Sequence, residues 1–344
     1  MNISNSNNSQ QAVKIITGLQ SKFVKSLEQV SDSLGDPIVF EKISWLRNAG
    51  LNGGGFRYVT GANDIFNRAA VNYSHVQYDD DFDKKLRSAT AISTIIHPAN
   101  PHAASVHMHY SFTELKDGSN YWRLMADLNP SLVNDSDRKK FMEVMQSSSG
   151  KHFAHGKDQG DKYFNIPALG RTRGVAHFYL EGFTSNNFVD DCKFTDTFGQ
   201  NMIDCYSEIL KNALETRTEI SENDRLQQLD YHTLYLLQVL TLDRGTTSGL
   251  LVHNENDIGI LGSIPQYINR DLLKSWVSLM PSPHDILLND IIKSLPNLSI
   301  VEVGDIEKQQ LAEVVRAHFL KYPESLELQA KGDIIPPTVT NHSN

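Results

Sequence analysis

The stretch ASVHMHYSFTEL, residues 104–115, alternates without a break: Val106, Met108, Tyr110 and Phe112 fall in one phase, and Ser105, His107, His109 and Ser111 in the other. Successive residues of a strand point to opposite faces, so this stretch reads as a strand that rests one face on a core and turns a polar, imidazole-bearing face away from it. DGSN at 117–120 follows as a turn and YWRLMADL at 121–128 resumes the extended pattern. The segment from Ala104 to Leu128 is therefore expected to be a hairpin.

Elsewhere the period changes. Ile16, Leu19, Phe23, Leu27 and Val30 recur at helical spacing before Gly35 and Pro37, which predicts a long N-terminal helix. Helices are also expected near 134–147, 198–217, 269–280 and 305–321, where apolar residues stand three or four apart. RGVAHFYLEGF and LYLLQVLTLDRG read as further strands, the latter broken at Asp243-Arg244-Gly245. Hairpin-linked strands with helices before and after them indicate an α+β fold, a large and mainly antiparallel β-sheet flanked by helices on both faces. Neither a repeat nor a linker interrupts residues 11–325, which read as one domain. The Asn/Ser-rich residues 1–10 and the polar, Pro-containing 326–344 are expected to be mobile ends.

Composition removes several function classes. A formal net charge of −9 argues against a nucleic-acid-binding surface, and any anion site must concentrate a few arginines locally. The two cysteines, Cys192 and Cys205, have neither disulfide-framework nor zinc-site spacing, which suggests a reducing compartment. The start has no basic segment followed by an apolar run, and no stretch approaches a membrane span, so a cytoplasmic location is expected.

Four histidines, His97, His102, His107 and His109, crowd residues 95–110. His107 and His109 share a strand face and could either hold one metal ion together or hydrogen-bond within a polar pocket. His152, His155 and His177 would add ligands if folding brought them near. NGGGFR, residues 52–57, lacks the order of a dinucleotide or phosphate loop and is expected to be a structural turn. Asp243 and Arg244 in LDRGTTSGL, and Arg171 and Arg173 in GRTRG, concentrate charge next to expected strands: a carboxylate grip on the functional reading, surface turns or internal ion pairs on the other.

Taken in order, NGGGFRYV, IFNRAAVNYSHV, STIIHPANPHAASVHMHYS, YWRLMADLNPS, DKYFNIPALGRTRGVAHFYLEGF and LTLDRGTTSGL resemble the oxygen-dependent coproporphyrinogen III oxidase family over about residues 15–290. IHPANPHA is the strongest match, and DLNP, RTRG and DRGT support it by position. The resemblance implies a flat antiparallel sheet flanked by helices, a homodimer, and oxidative decarboxylation of two porphyrinogen propionates to vinyl groups. Molecular oxygen is the co-substrate in that reaction, and neither a metal nor an organic cofactor takes part. It carries over His107, Asp127, Asp243 and Arg244 as catalytic, and Ser93, Asn100, His109 and Arg173 as substrate-binding. In that scheme Asp127 or Asp243 accepts pyrrole N–H bonds, Arg173 and Arg244 pair with propionates, and His107 assists proton transfer. The chain departs from the family pattern in several places. Ser111 stands where the family has Arg, His109 where it has Asn, Ala168-Leu169 where it has His-Arg, and Arg171 where it has an acid. Arg123 and Arg171 are candidate replacements. Three readings stay open: the family reaction, another carboxylate substrate with a metal on His107, His109 and His177, or a non-catalytic tetrapyrrole binder.

Overall fold

The alternating hairpin forms the fifth and sixth strands of a seven-stranded antiparallel sheet in a computed structural model that describes residues 1–335 and residue 337. Its strands are β1 (Glu41–Leu46), β2 (Gly53–Thr60), β3 (Phe66–Gln77), β4 (Leu86–Pro98), β5 (Ser105–Leu115), β6 (Asn120–Asn129) and β7 (Ala176–Phe183), and they lie side by side in chain order. The α+β expectation holds, with helices on both faces.

The first face is the apolar phase of the sequence. Tyr73, Ile92, Met108, Tyr110, Phe112, Trp122, Leu124 and Phe178 form one core with helices α1 (Asn7–Ser33), α2 (Asp135–Ser149) and α4 (Phe188–Thr216). Ile16, Leu19, Phe23 and Leu27 of α1 are fully or almost fully buried there. Each contributes roughly 1.5–3 kcal/mol of apolar burial. The helix opens on Ser6, whose hydroxyl accepts the Ser9 N–H. The start of the chain departs from the expected mobile end: Ser4 is fully buried, its N–H donating to His75 Nε2 (3.1 Å) and its hydroxyl to Asp79 (2.9 Å). α4 starts about ten residues earlier than its periodicity suggests, at an Asn187 cap that accepts the Val189 and Asp190 N–H groups.

The second face carries the polar phase. Its cover comprises α3 (Phe153–Tyr163), α5 (Glu222–Thr241), α6 (Arg244–Val252), the single turn α7 (Asp257–Ile260), α8 (Arg270–Trp276), α9 (His284–Ser294) and α10 (Asp305–Lys321). LYLLQVLTLDRG is helix α5 and the start of α6, where a strand was expected. Residues 231–241 are buried without exception, and a helix buried on every side loses the amphipathic period that separates helix from strand. Among the described residues the sheet gives the core formed by this cover two buried side chains, Ala70 and Ile95, with half-buried Val59 packed against it. The polar side chains around them hold the cover off and leave a cavity.

Two further expectations change. All of NGGGFR but Asn52 lies inside β2, between β1 and β3, where a turn was expected. A Cβ on Gly53 or Gly55 would strike the backbone carbonyls of His75 or Tyr73, so glycine permits the close strand approach. The segment after 325 is seated as far as it is described: Gln329 donates to Thr247 Oγ1 (2.6 Å) and the Ala330 N–H to Leu242 O (3.0 Å). Residue 336 and residues 338–344 of the expected mobile tail lie outside the described residues.

Candidate active site

The cavity, of about 280 Å³, lies between the polar sheet face and the α5–α6 cover. Register explains its floor. Asn72, Ser93, His109 and Met125 form one row across β3 to β6, and Ser74, Ala91, Ser111 and Arg123 form the next. Cross-strand partners share a face, so one alternating strand in the sequence becomes a polar plate in three dimensions. Trp45, Tyr163, Tyr235, Asp243, His253 and Asn256 close the sides and roof.

His107 lines this cavity and donates from Nδ1 to Asp127 Oδ1 at 2.6 Å, which leaves Nε2 for a ligand. Asp127 lies behind it, with 0% of its surface exposed. Its second oxygen accepts from Arg173 Nη2 (2.8 Å) and Asn129 Nδ2 (2.6 Å). Burial by itself would raise the Asp127 carboxyl, but Arg173 and then His107 outweigh it and hold the group well below the carboxylate range. Arg173 also donates to Gln238 Oε1 (2.5 Å) and lies over the rings of Phe164 (4.6 Å) and Tyr235 (5.2 Å).

Asp243 caps α6, accepting the Thr246 N–H (2.7 Å) on one oxygen and the Tyr163 hydroxyl (3.1 Å) on the other. Arg123 lies on the floor and grips Glu181 through two nitrogens, at 2.5 and 2.9 Å. Burial opposes the charge on Arg123, yet Glu181 keeps its pKa above the ordinary arginine value. His109 shares a 3.0 Å hydrogen bond with Ser111, and burial, reinforced by Arg123, holds its pKa well below 6.5, so it is neutral. Both cavity arginines thus already own a carboxylate partner.

Of the residues singled out from sequence, Ser93, His107, His109, Arg173 and Asp243 line the cavity, with Asp127 directly behind. Two do not reach it. Arg244 is buried and turns its guanidinium to the Ala330 (2.8 Å) and Leu326 (2.7 Å) carbonyls, anchoring the C-terminal segment. Asn100 closes a turn, donating to Arg217 O (2.8 Å) and accepting the His102 N–H (2.8 Å). The set His107, His109 and His177 does not assemble as metal ligands. Phe164 packs between His107 and His177, and both His177 ring nitrogens face oxygen acceptors, Asp161 at 2.9 Å and Arg173 O at 2.7 Å. Among the described residues no group of three or more His, Cys, Asp or Glu side chains is placed to hold a metal ion.

Of the other candidates, His97 is fully buried and bonds Ser105 (2.9 Å), and His102 pairs with Asp224 (3.3 Å). His152 packs on Phe183 and Phe194, and His155 and Arg171 are exposed. Sequence reasoning missed Tyr163, Tyr235, Gln238 and Glu181. The strand phase of β6 and β7 carried a signal for Glu181, since Tyr179 and Glu181 alternate with apolar neighbours. Gln238 had none, because α5 was read as a strand.

A family model described as coproporphyrinogen III oxidase matches residues 11–272. The mitochondrial oxygen-dependent coproporphyrinogen-III oxidase of Rattus norvegicus is 27% identical over 276 residues, which are 73% of this chain and 60% of that protein. The oxygen-dependent coproporphyrinogen-III oxidase of Drosophila melanogaster is 26% identical over 275 residues, 73% of this chain and 69% of that protein. That of Rickettsia akari is 26% identical over 268 residues, 72% of this chain and 93% of that protein. The chain thus spans about 60% of the length of the rat protein and nearly all of the rickettsial one. Since the family model covers well over half of the 344 residues, the chain belongs to the coproporphyrinogen III oxidase family.

Proposed function

We propose that the cavity takes a pyrrole bearing a propionate and that the chain catalyses its oxygen-dependent oxidative decarboxylation, with a porphyrinogen of haem biosynthesis as the substrate class. The observation that carries this reading is the His107–Asp127–Arg173 chain at the cavity floor, with Asp243 presented from the α6 cap. Asp243 accepts the pyrrole N–H and stabilises positive charge as the electron-rich ring is oxidised. His107, held in one tautomer by Asp127, receives the proton released at the ring or side chain.

In the net step the propionate loses CO2, a proton and two electrons to become a vinyl group. Oxygen takes the two electrons, that proton and a second proton from solvent to become hydrogen peroxide. The protein's task is positioning and the exclusion of water, which the roof residues Tyr235 and Val239 serve.

A second reading has its own observation. Arg123 and Arg173 are neutralised by Glu181 and Asp127, so the cavity floor has no spare arginine for a tetra-anion, which favours a less anionic carboxylate or binding without turnover. The proposal extends to a homodimer in a reducing, cytoplasmic setting. Cys192 and Cys205 are buried free thiols, and no described helix is long and apolar enough to cross a membrane.

The test is direct. Purified protein is mixed anaerobically with coproporphyrinogen III, air is admitted, and products are separated with detection of vinyl porphyrins and peroxide. Vinyl product in wild type, lost in H107A, is the expected result. Absence of product at enzyme concentrations equal to substrate refutes the oxidase reading, and tight binding of coproporphyrin without turnover selects the second. Sedimentation equilibrium decides the dimer.

A further inference from the structure

A ligand with several carboxylates needs cations that are not already spent; Arg57 stands against the Asn256–Gly259 wall of the cavity, without lining it, and Arg68 and Lys308 lie behind that wall. Arg57 lies in the same sheet row as Asn72, Ser93 and His109, three strands from His109 and so about 14 Å away at ordinary strand spacing. Its Nη1 donates to Asn256 Oδ1 (3.1 Å), and Asn256 lines the cavity. The neighbouring Gly259 also lines it, and a Cβ there would collide with the Arg57 guanidinium, so glycine keeps that group's place open. Arg68, on β3, donates from Nη2 to Val303 O (3.3 Å), while its Nε is buried without a hydrogen-bond partner. Lys308, on the first turn of α10, is 4% exposed and bonds only the exposed Asp305 (3.1 Å).

Among the described residues neither Arg57 nor Arg68 joins an ion pair, in contrast to Arg123 and Arg173. Burial holds both arginines below their ordinary pKa, with Asp305, Glu41 and Glu302 only partly offsetting it. Burial also lowers the Lys308 pKa, and the charges of Arg68 and Arg57 add to the effect, so the three cations feel one another. Among the described residues only Asp305 is hydrogen-bonded to these three partly desolvated cations, through Lys308, while Glu41 and Glu302 act on the arginines at longer range.

We infer that Arg57, Arg68 and Lys308 form a carboxylate-receiving station, which holds acidic side chains of the ligand across the sheet from His107 and Asp243. It rests on the reading of the cavity as a pyrrolic propionate site. A macrocycle laid over Asn72 and Ser93 spans the interval, with its reacting group at the His107 end.

The experiment is equilibrium titration of the full chain with two probes, coproporphyrin III and its tetramethyl ester, in wild type, R57Q, R57K and R68Q. The station predicts that R57Q and R68Q weaken the tetra-acid roughly tenfold or more, that R57K falls between them and wild type, and that the ester's affinity stays put. Equal tetra-acid affinity in R57Q, R68Q and wild type overturns the station and leaves the cavity reading intact. Parallel loss of acid and ester overturns it as well, because a steric or folding defect acts on both. If wild type binds neither probe, the cavity reading fails and the station fails with it.

Discussion

Replacing Asp127 with Asn tests the buried network most severely, because it keeps the shape and removes the charge. Arg173 would be left 2% exposed beside a neutral amide, and His107 would lose the anion that fixes its tautomer. Stranding one partner of a buried pair costs about 3–5 kcal/mol. At roughly 2.1 cal/mol/K of unfolding entropy per residue, the 344-residue chain has about 0.7 kcal/mol/K at its midpoint, so D127N should lower Tm by about 4–7 °C. Removing the cation as well, in D127N/R173M, takes away the stranded charge and should recover much of that loss. Thermal or urea unfolding of wild type, both single variants and the double variant gives the coupling energy. Single-variant effects that add within about 0.5 kcal/mol, or a D127N midpoint within a degree of wild type, would refute the argument that these charges depend on each other.

Three further outcomes follow from the same geometry. H107Q should reduce turnover of the oxidative decarboxylation by roughly 10²–10⁴ while leaving coproporphyrin affinity within a few-fold, as read from kcat and a binding titration. His284, whose buried ring has its pKa pushed down to about 4 with burial as the main cause, stays neutral in the fold. The unfolded chain takes up that proton below about pH 6.5, so stability should fall between pH 6.5 and 4 and level off below, with a slope that H284Q reduces; an unchanged slope removes His284 from the explanation. G55A places a methyl group against the Tyr73 carbonyl and 2.9 Å from Trp45 Nε1, and overpacking of that kind should cost about 1–3 kcal/mol in urea unfolding.

Three of the seven strands, β5, β6 and β7, were legible because their pattern is local. In β5 the apolar phase became the α1–α4 core and the polar phase became the cavity floor, as period-2 alternation requires. α5 was not legible, because its residues from Tyr231 to Thr241 are covered on all sides and leave no polar stripe to mark a helix. Gln238, buried on that helix and bonded to Arg173, was lost with it. Arg244 shows the other limit: an arginine next to an aspartate in a motif turn reads as a ligand grip, but only the path of residues 326–330 shows that two backbone carbonyls claim it. His177 was misplaced for a related reason. Its strand position was read correctly, yet Phe164, thirteen positions earlier in the chain, separates it from His107.

The amino-acid sequence by itself determined the α+β class, the hairpin, the polar strand face with His107 and His109, and the charged motifs of Arg173 and Asp243, because periodicity and short motifs are written in neighbouring positions; Asp127 entered through the family resemblance. Tertiary structure alone decided which charges are free. Arg123 and Arg173 were paired with Glu181 and Asp127, and Arg57 and Arg68 were left without an ion pair among the described residues, by strand register and by the helices laid over the sheet. An arginine's availability depends on what lies within a few ångströms of its guanidinium, and those neighbours come from distant parts of the chain.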